Sequence, residues 1–188
     1  MYIDVCKWKR KTIVIVIEDN NLEIRLRPLV ISDASILMEL NNNEEIAKCV
    51  VGNPRKVNMD EQLRWMTRIK QEKNTLRFII TYQNKSVGTL IISNIDKANK
   101  VGNINIKLLP QEQGKGLGTI SLKLACQYAF EKIDLYCLTA HILSDNEASQ
   151  KLFKKVGFSR EGILRSRVIK DGIRKDLISY SLIKNELD

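Results

Sequence analysis

The fold this sequence predicts is a mixed α/β domain in which several neighbouring strands pair antiparallel. Three observations carry that reading. Apolar and polar residues alternate in "LEIRLRPL" (22–29), where Leu22, Ile24 and Leu26 interleave with Glu23, Arg25 and Arg27, and again in "GNINIKLL" (102–109). Strand-like runs meet at short turns. "LRFIITYQ" (76–83), "NK" and "SVGTLIISNI" (86–95) form one such pair, and "FSREGILRSRVIK" and "IRKDLISYSLI" about Asp171-Gly172 form another. Helical stretches with one apolar stripe lie between the strands, the clearest being "MDEQLRWMTRIKQEK" (59–73).

Element by element, "TIVIVI" (12–17) is rich in Ile and Val and reads as a strand. Pro28 ends the next strand, and Ser32 or Asp33 can cap a helix running to about Asn41. "NNNEE" (41–45) is a turn, with a short helix near Ile46, and "NPRK" (53–56) breaks the chain again. Asn58 can cap the longer helix, whose stripe is Leu63, Met66 and Ile69, with Trp65 beside it as core or as the wall of a subsite. After the hairpin and strand 102–109 comes the glycine-rich stretch "QEQGKGLGT" (111–119), then a helix to about Lys132 and a strand over 135–142. Asp145 or Asn146 caps a helix that stops at Gly157. The expected organisation is a single domain over residues 21–188, preceded by an N-terminal extension, residues 1–20.

The bulk numbers narrow the function. A net charge of +9 suits an anionic ligand, but Lys and Arg are scattered, and only "KWKRK" (7–11) is a tight cluster, so no specific nucleic-acid partner is implied. That cluster and "TIVIVI" imitate a signal peptide poorly, since Glu18 and Asp19 end the apolar run. No stretch approaches the roughly 20 apolar residues that cross a bilayer, so the expectation is a cytoplasmic protein with no membrane partner. Cys6, Cys49, Cys126 and Cys137 are far apart and His141 is the only histidine, which argues against a metal site. Cys126 and Cys137, inside apolar segments, read as inert core thiols.

The glycine loop is the first chemical signal. It lies between a strand and a helix, where unpaired N–H groups and the helix dipole favour an anion, phosphate above all. Gly114, Gly116 and Gly118 let the backbone approach a ligand, and Lys115 adds a cation. The Walker and dinucleotide-binding spacings both fail in "GKGLGT", and a glycine-rich connection without ligand stays open on these residues alone.

Gln113-Gly114-Lys115-Gly116-Leu117-Gly118 resembles the Q/R-x-x-G-x-G/A motif of the GNAT superfamily of acetyltransferases. Three more stretches follow that family's order: "IRLRPLVISDA" at the front, "SDNEASQKLFKKVGFSREGILR" (144–165) and the closing hairpin "KDGIRKDLISYSL". The similarity runs from about Glu23 to Glu186 and is nearest to the ribosomal-protein-alanine branch. It implies a central, mostly antiparallel sheet with helices on both faces, splayed between strands 102–109 and 135–142. It also implies acetyl-CoA as cosubstrate, with the pyrophosphate on the N–H groups of residues 114–119 and the pantetheine along strand 102–109.

The resemblance assigns roles residue by residue. Asn146, Ser149 and Phe153, spaced i, i+3, i+7, share a helix face that in the family looks at the cofactor. Asn146 matches a pantetheine contact. Phe153 stands where many members carry a Tyr acid, and phenylalanine cannot donate a proton. Ser149 matches a serine given that role in the ribosomal-protein enzymes, with a plain surface hydroxyl as its other reading. The backbone N–H of Leu108 would hold the oxyanion. Together with Gln113, Lys115, Leu117 and Thr119, these residues form the expected cofactor site. No general base is evident: Val168 stands where the ribosomal-protein enzymes carry Glu, Glu161 and Asp176 match positions with structural uses, and His141 is a candidate. The acceptor is a primary amine on a peptide, protein or amino sugar, with polyamines and a non-catalytic acyl-CoA-binding module as alternatives. A homodimer is compatible with this reading.

Overall fold

The alternating runs pair into one eight-stranded sheet within the residues that the computed structural model describes, 17–19, 23–53 and 55–187. The strands are β1 (Ile17–Asp19), β2 (Ile24–Pro28), β3 (Leu76–Tyr82), β4 (Lys85–Asp96), β5 (Val101–Leu108), β6 (Cys137–Leu143), β7 (Ser159–Lys170) and β8 (Ile173–Ile183). Their spatial order is β1-β2-β3-β4-β5-β6-β8-β7, antiparallel throughout except for β5 beside β6. Residues 12–16 of the expected first strand lie outside the described residues. Ile17–Asp19, expected within the N-terminal extension, pair with β2.

Helices cover both faces. On one face α1 (Ala34–Asn42), α2 (Glu44–Cys49) and α3 (Met59–Ile69) bury Ile36, Leu37, Leu40, Ile46 and Met66 against Ile79 and Leu109. On the other, α4 (Leu117–Glu131) and α5 (Glu147–Val156) bury Leu122, Ala125, Phe130, Phe153 and Val156 against Phe78, Ile80, Leu90, Ile92 and Ile104. Because Phe78 and Ile80 face one cluster and Ile79 the other, β3 is apolar without alternation, as a strand covered on both sides must be.

The hairpin turn sits at Gln83-Asn84, one residue before the expected Asn84-Lys85. Both residues have positive φ (49° and 61°), the primed-turn geometry that matches strand twist. Asp171-Gly172 repeats it at 50° and 80°. Asn58 caps α3 as expected: its side chain accepts from Glu61 N–H at 2.9 Å, and the Glu61 carboxylate accepts from Asn58 N–H at 3.0 Å. This helix ends at Ile69, short of Lys73, and its buried face is Gln62, Met66 and Ile69, with Leu63 half-buried. Asp33 stands before α1 without capping it. Its buried carboxylate accepts two bonds from Arg27, at 2.7 and 2.6 Å, and one from Val30 N–H at 2.9 Å. That pairing raises the Arg27 pKa and locks the exit of β2.

Candidate functional site

The sheet opens where β5 leaves β6. The two strands pair only at Val101–Asn103 with Cys137–Thr139, a closed end fastened by Thr139 Oγ1 donating to Asn103 Oδ1 at 2.7 Å. Past that clasp β5 stays with β4 and β6 with β8, leaving a V-shaped gap. Leu109 N–H donates to Val87 O at 3.0 Å, across to β4. By strand alternation, the N–H groups of Ile106 and Leu108 therefore face the gap. The Leu108 carbonyl on that edge accepts from Gln113 Nε2 at 3.1 Å, which ties the glycine loop to the end of β5.

At the mouth of the gap α4 begins. Gly116 is its N-cap, with φ 82° and no capping side chain, so the N–H groups of Gly116, Leu117 and Gly118 have no intrahelical acceptor. Thr119 N–H does have one, the Gly116 carbonyl at 3.0 Å. Gly114 also has positive φ, 75°, and a Cβ on either residue would meet nothing within 4 Å. The two glycines supply backbone shape around open space. The third serves packing: a Cβ on Gly118 would lie 3.3 Å from Leu152 of α5 and 3.5 Å from Leu108. This contact gathers β5, α4 and α5 at one point. Lys115 is not a spare cation, since it pairs with Glu112 at 3.0 Å. The donors and the open cradle fit a phosphate.

On α5, Asn146 caps the helix, accepting from Ser149 N–H at 3.0 Å, and its amide donates to Cys49 O at 2.9 Å. Phe153 is buried, edge-on to Phe158 at 4.9 Å. Ser149 is half-buried and its hydroxyl makes no hydrogen bond among the described residues. His141 is exposed on β6, and alternates with Ala140 and Ile142, which face the α4–α5 side. It therefore points to the α1–α3 side, and Ser149 and His141 lie on opposite faces of the sheet. Glu161 and Asp176 are engaged elsewhere, accepting from Ser181 Oγ at 2.6 Å and from Ser166 N–H at 2.6 Å. Cys126 is fully buried and its thiol pKa is pushed up by burial; Cys137 is only partly buried, and is raised by burial and then by Glu161 and Glu186.

The α1–α3 face holds a cavity of about 550 Å³, walled by α1, α3, residues 55–57 and the strand positions Arg77, Thr89, Ile91 and Lys107. α2 and the segment that leads from it to α3 are held from both sides. Asn42 brackets Val57, donating to its carbonyl and accepting from its N–H, each at 2.8 Å. From β7, the buried Lys170 donates to Ala47 O and Gly52 O, both at 2.7 Å, and Asn53 donates to Ile169 O at 2.9 Å. Trp65 is both core and wall: it packs on the α1–α3 cluster and lines the cavity, with the Arg77 guanidinium 5.6 Å from its ring centre. The pKa of Lys107 is lowered, first by burial and then by Lys170. Sequence reasoning missed Lys107, Arg77 and Lys170. Lys170 carried no local signal, but a cation inside the apolar run "LRFIITY" marks Arg77 as unusual.

The Acetyltransferase (GNAT) domain family matches residues 23–159. The chain belongs to this family. It is 25% identical over 163 residues to the spermidine N(1)-acetyltransferase of Escherichia coli (strain K12), covering 87% of each chain. The structure of RimL, a ribosomal L7/L12 alpha-N-protein acetyltransferase in complex with coenzyme A, shares its fold at TM-score 0.82 and 21% identity, covering 89% of this chain and 97% of that one. That of the microcin C7 self-immunity acetyltransferase MccE with acetyl-CoA and AMP gives 0.76 and 26%, over 86% and 92%. A ribosomal-protein enzyme thus stands among the structural neighbours, as the motifs implied, beside a spermidine enzyme among the relatives. The chain is thus an acetyltransferase acting on an amine, and its neighbours RimL and MccE hold coenzyme A and acetyl-CoA. Among the described residues, no helix is long and apolar enough to cross a membrane, and no three His, Cys, Asp or Glu side chains cluster as metal ligands.

Proposed function

We propose that this GNAT acetyltransferase moves the acetyl group of acetyl-CoA directly to a primary amine on a peptide, protein terminus or sugar, with no covalent enzyme intermediate. One observation carries the reading: the uncapped start of α4 adjoins the β5–β6 gap, so a phosphate cradle and an opened strand edge meet at Leu108. Gly116, Leu117 and Gly118 donate their N–H groups to the pyrophosphate. The edge of β5 pairs with the amides of the pantetheine arm, and Leu108 N–H donates to the thioester oxygen as negative charge builds there. Bound acetyl-CoA supplies the activated acetyl group.

Proton handling divides between the faces. The amine arrives from the cavity on the α1–α3 side, and water, or His141 projecting on that same side of the sheet outside the cavity lining, takes its proton. On the α4–α5 side Ser149 is the hydroxyl placed to protonate the thiolate, the Phe153 ring being committed to the core. A thiol with a pKa of about 8.5 is a fair leaving group without much help. The relatedness to a spermidine enzyme supports a polyamine as second acceptor class.

The test is thiol release from acetyl-CoA, with product mass, over a panel of an N-terminal peptide, an amino sugar, spermidine and a lysine amide. Acetylated α-amine or sugar amine is expected. Coenzyme A binding without any acetylated product would leave only a binding module.

A further inference from the structure

The cavity on the α1–α3 face is far more basic than an amine-binding pocket needs. Arg55, Arg64, Arg68, Arg77 and Lys107 line it, against one lining carboxylate, Glu61. Glu61 is already held by Arg55 at 2.8 Å. Arg64 and Arg68 are four residues apart on α3, a spacing at which like charges repel, and neither has a hydrogen-bonded or ion-paired partner among the described residues. Arg77 pairs with Glu72 through one terminal nitrogen at 2.9 Å, while its buried Nε has no acceptor among the described residues. Lys107, half-buried on β5 beside Leu108, is likewise without a partner, and its one near charge is another lysine.

Arg64 and Arg68 stand on the exposed rim of the cavity, where they attract an anion at little cost to the fold. Deeper in, the buried Arg77 Nε and the half-buried Lys107 ammonium are donors that water serves poorly and that an anionic oxygen would satisfy. A polyamine entering the same space would add cations to cations. From these residues we infer that the acceptor is a small anionic amine: one end carries the primary amine to the gap at Leu108, and the other carries a phosphate or carboxylate that Arg64, Arg68, Arg77 and Lys107 hold. The cavity, at about 550 Å³, is of a size for a small-molecule substrate. The inference rests on the proposed acetyl transfer and narrows its acceptor.

The experiment compares matched amines that differ in the anion alone: glucosamine 6-phosphate with glucosamine, and an aspartyl dipeptide with its fully amidated form, with spermidine alongside. Acetylation is read as kcat/KM. The anionic member of at least one pair is expected to win by tenfold or more, with the phosphate and carboxylate pairs telling the two anions apart and spermidine lowest. In the double variant Arg64→Gln, Arg68→Gln the preference should fall at least tenfold, while the Kd for coenzyme A stays unchanged. The same anionic amines are titrated calorimetrically into protein saturated with coenzyme A, which reads the pocket even if no amine is turned over. Binding that the double variant loses supports the inference. Spermidine as best acceptor, equal rates within both pairs, no binding of either anionic amine, or a preference the double variant keeps would overturn it. Failure of acetyl transfer itself would appear separately, as coenzyme A binding with no acetylated product from any amine.

Discussion

Lys170 is the residue whose removal tests how α2 and the segment after it are held to β7. Its ammonium is 5% exposed and its two hydrogen bonds, both 2.7 Å, go to carbonyls of α2 and the segment after it, not to a carboxylate. Lys170→Met keeps the stem and deletes the charge. Two bonds from a charged donor contribute about 1.5–3 kcal/mol each before offsets. Against them stand the dehydration of the ammonium and its repulsion of Lys107, both relieved by the substitution. The balance is a loss of about 2–4 kcal/mol, which for a domain of this size lowers Tm by roughly 4–16 °C. Urea denaturation followed by circular dichroism should show a lower midpoint at unchanged slope, and amide exchange at residues 47–53 should quicken more than elsewhere. Lys56→Met, which breaks an exposed pair with Glu44, is the control and should leave the midpoint where it was. A Lys170→Met stability within about 0.5 kcal/mol of the parent would mean that α2 and the segment after it stand without this lysine.

Ser149→Ala should lower kcat by about tenfold, below the roughly 10²–10⁴-fold usual for a general acid because a thiolate leaves readily, with little change in KM for acetyl-CoA; an unchanged kcat with chemistry rate-limiting removes Ser149 from the mechanism. Lys107 predicts a pH effect of definite sign. Its folded pKa lies below the ordinary 10.5, so between the two values the unfolded chain holds more protons and stability rises with pH, the penalty being fully present below the folded pKa. Unfolding free energy compared between the parent and Lys107→Met from pH 7 to 10.5 should show the parent gaining on the variant, and parallel curves would mean no depression.

The parts of the site made by backbone were legible in the sequence and those made by side-chain convergence were not. Gln113 to Gly118 announces its own geometry, because positive φ at Gly114 and Gly116 and the close approach at Gly118 each demand glycine at that place. Asn58 before α3 and Asn146 before α5 were equally local, since a cap is read within three residues. Trp65 could not be settled because core and cavity wall share one ring face. Asp33 misled for the opposite reason: its position fits a cap, but Arg27, six residues back, claims the carboxylate. Lys107, Arg77 and Arg64 come from β5, β3 and α3, and no spacing along the chain says that they meet.

The same division explains how one fold serves relatives with such different acceptors as spermidine and a ribosomal protein. On the proposed reading the cofactor half is written in main-chain N–H groups, and the start of α4 and the edge of β5 change only if the glycines or the register change. The acceptor half is written in exchangeable side chains on α1, α3 and the sheet face opposite α4, where a substitution alters charge without disturbing the strands. Identity of 25% to a spermidine enzyme therefore speaks more strongly for the shared half than for the acceptor half. At an effective dielectric near 20, a substrate cation about 6 Å from one pocket cation is opposed by about 3 kcal/mol before screening. A single unpaired arginine thus outweighs the roughly 1.4 kcal/mol that separates a tenfold preference from none. On the inference drawn above, the cations of this cavity weigh more than the resemblance of the chain in deciding which amine enters.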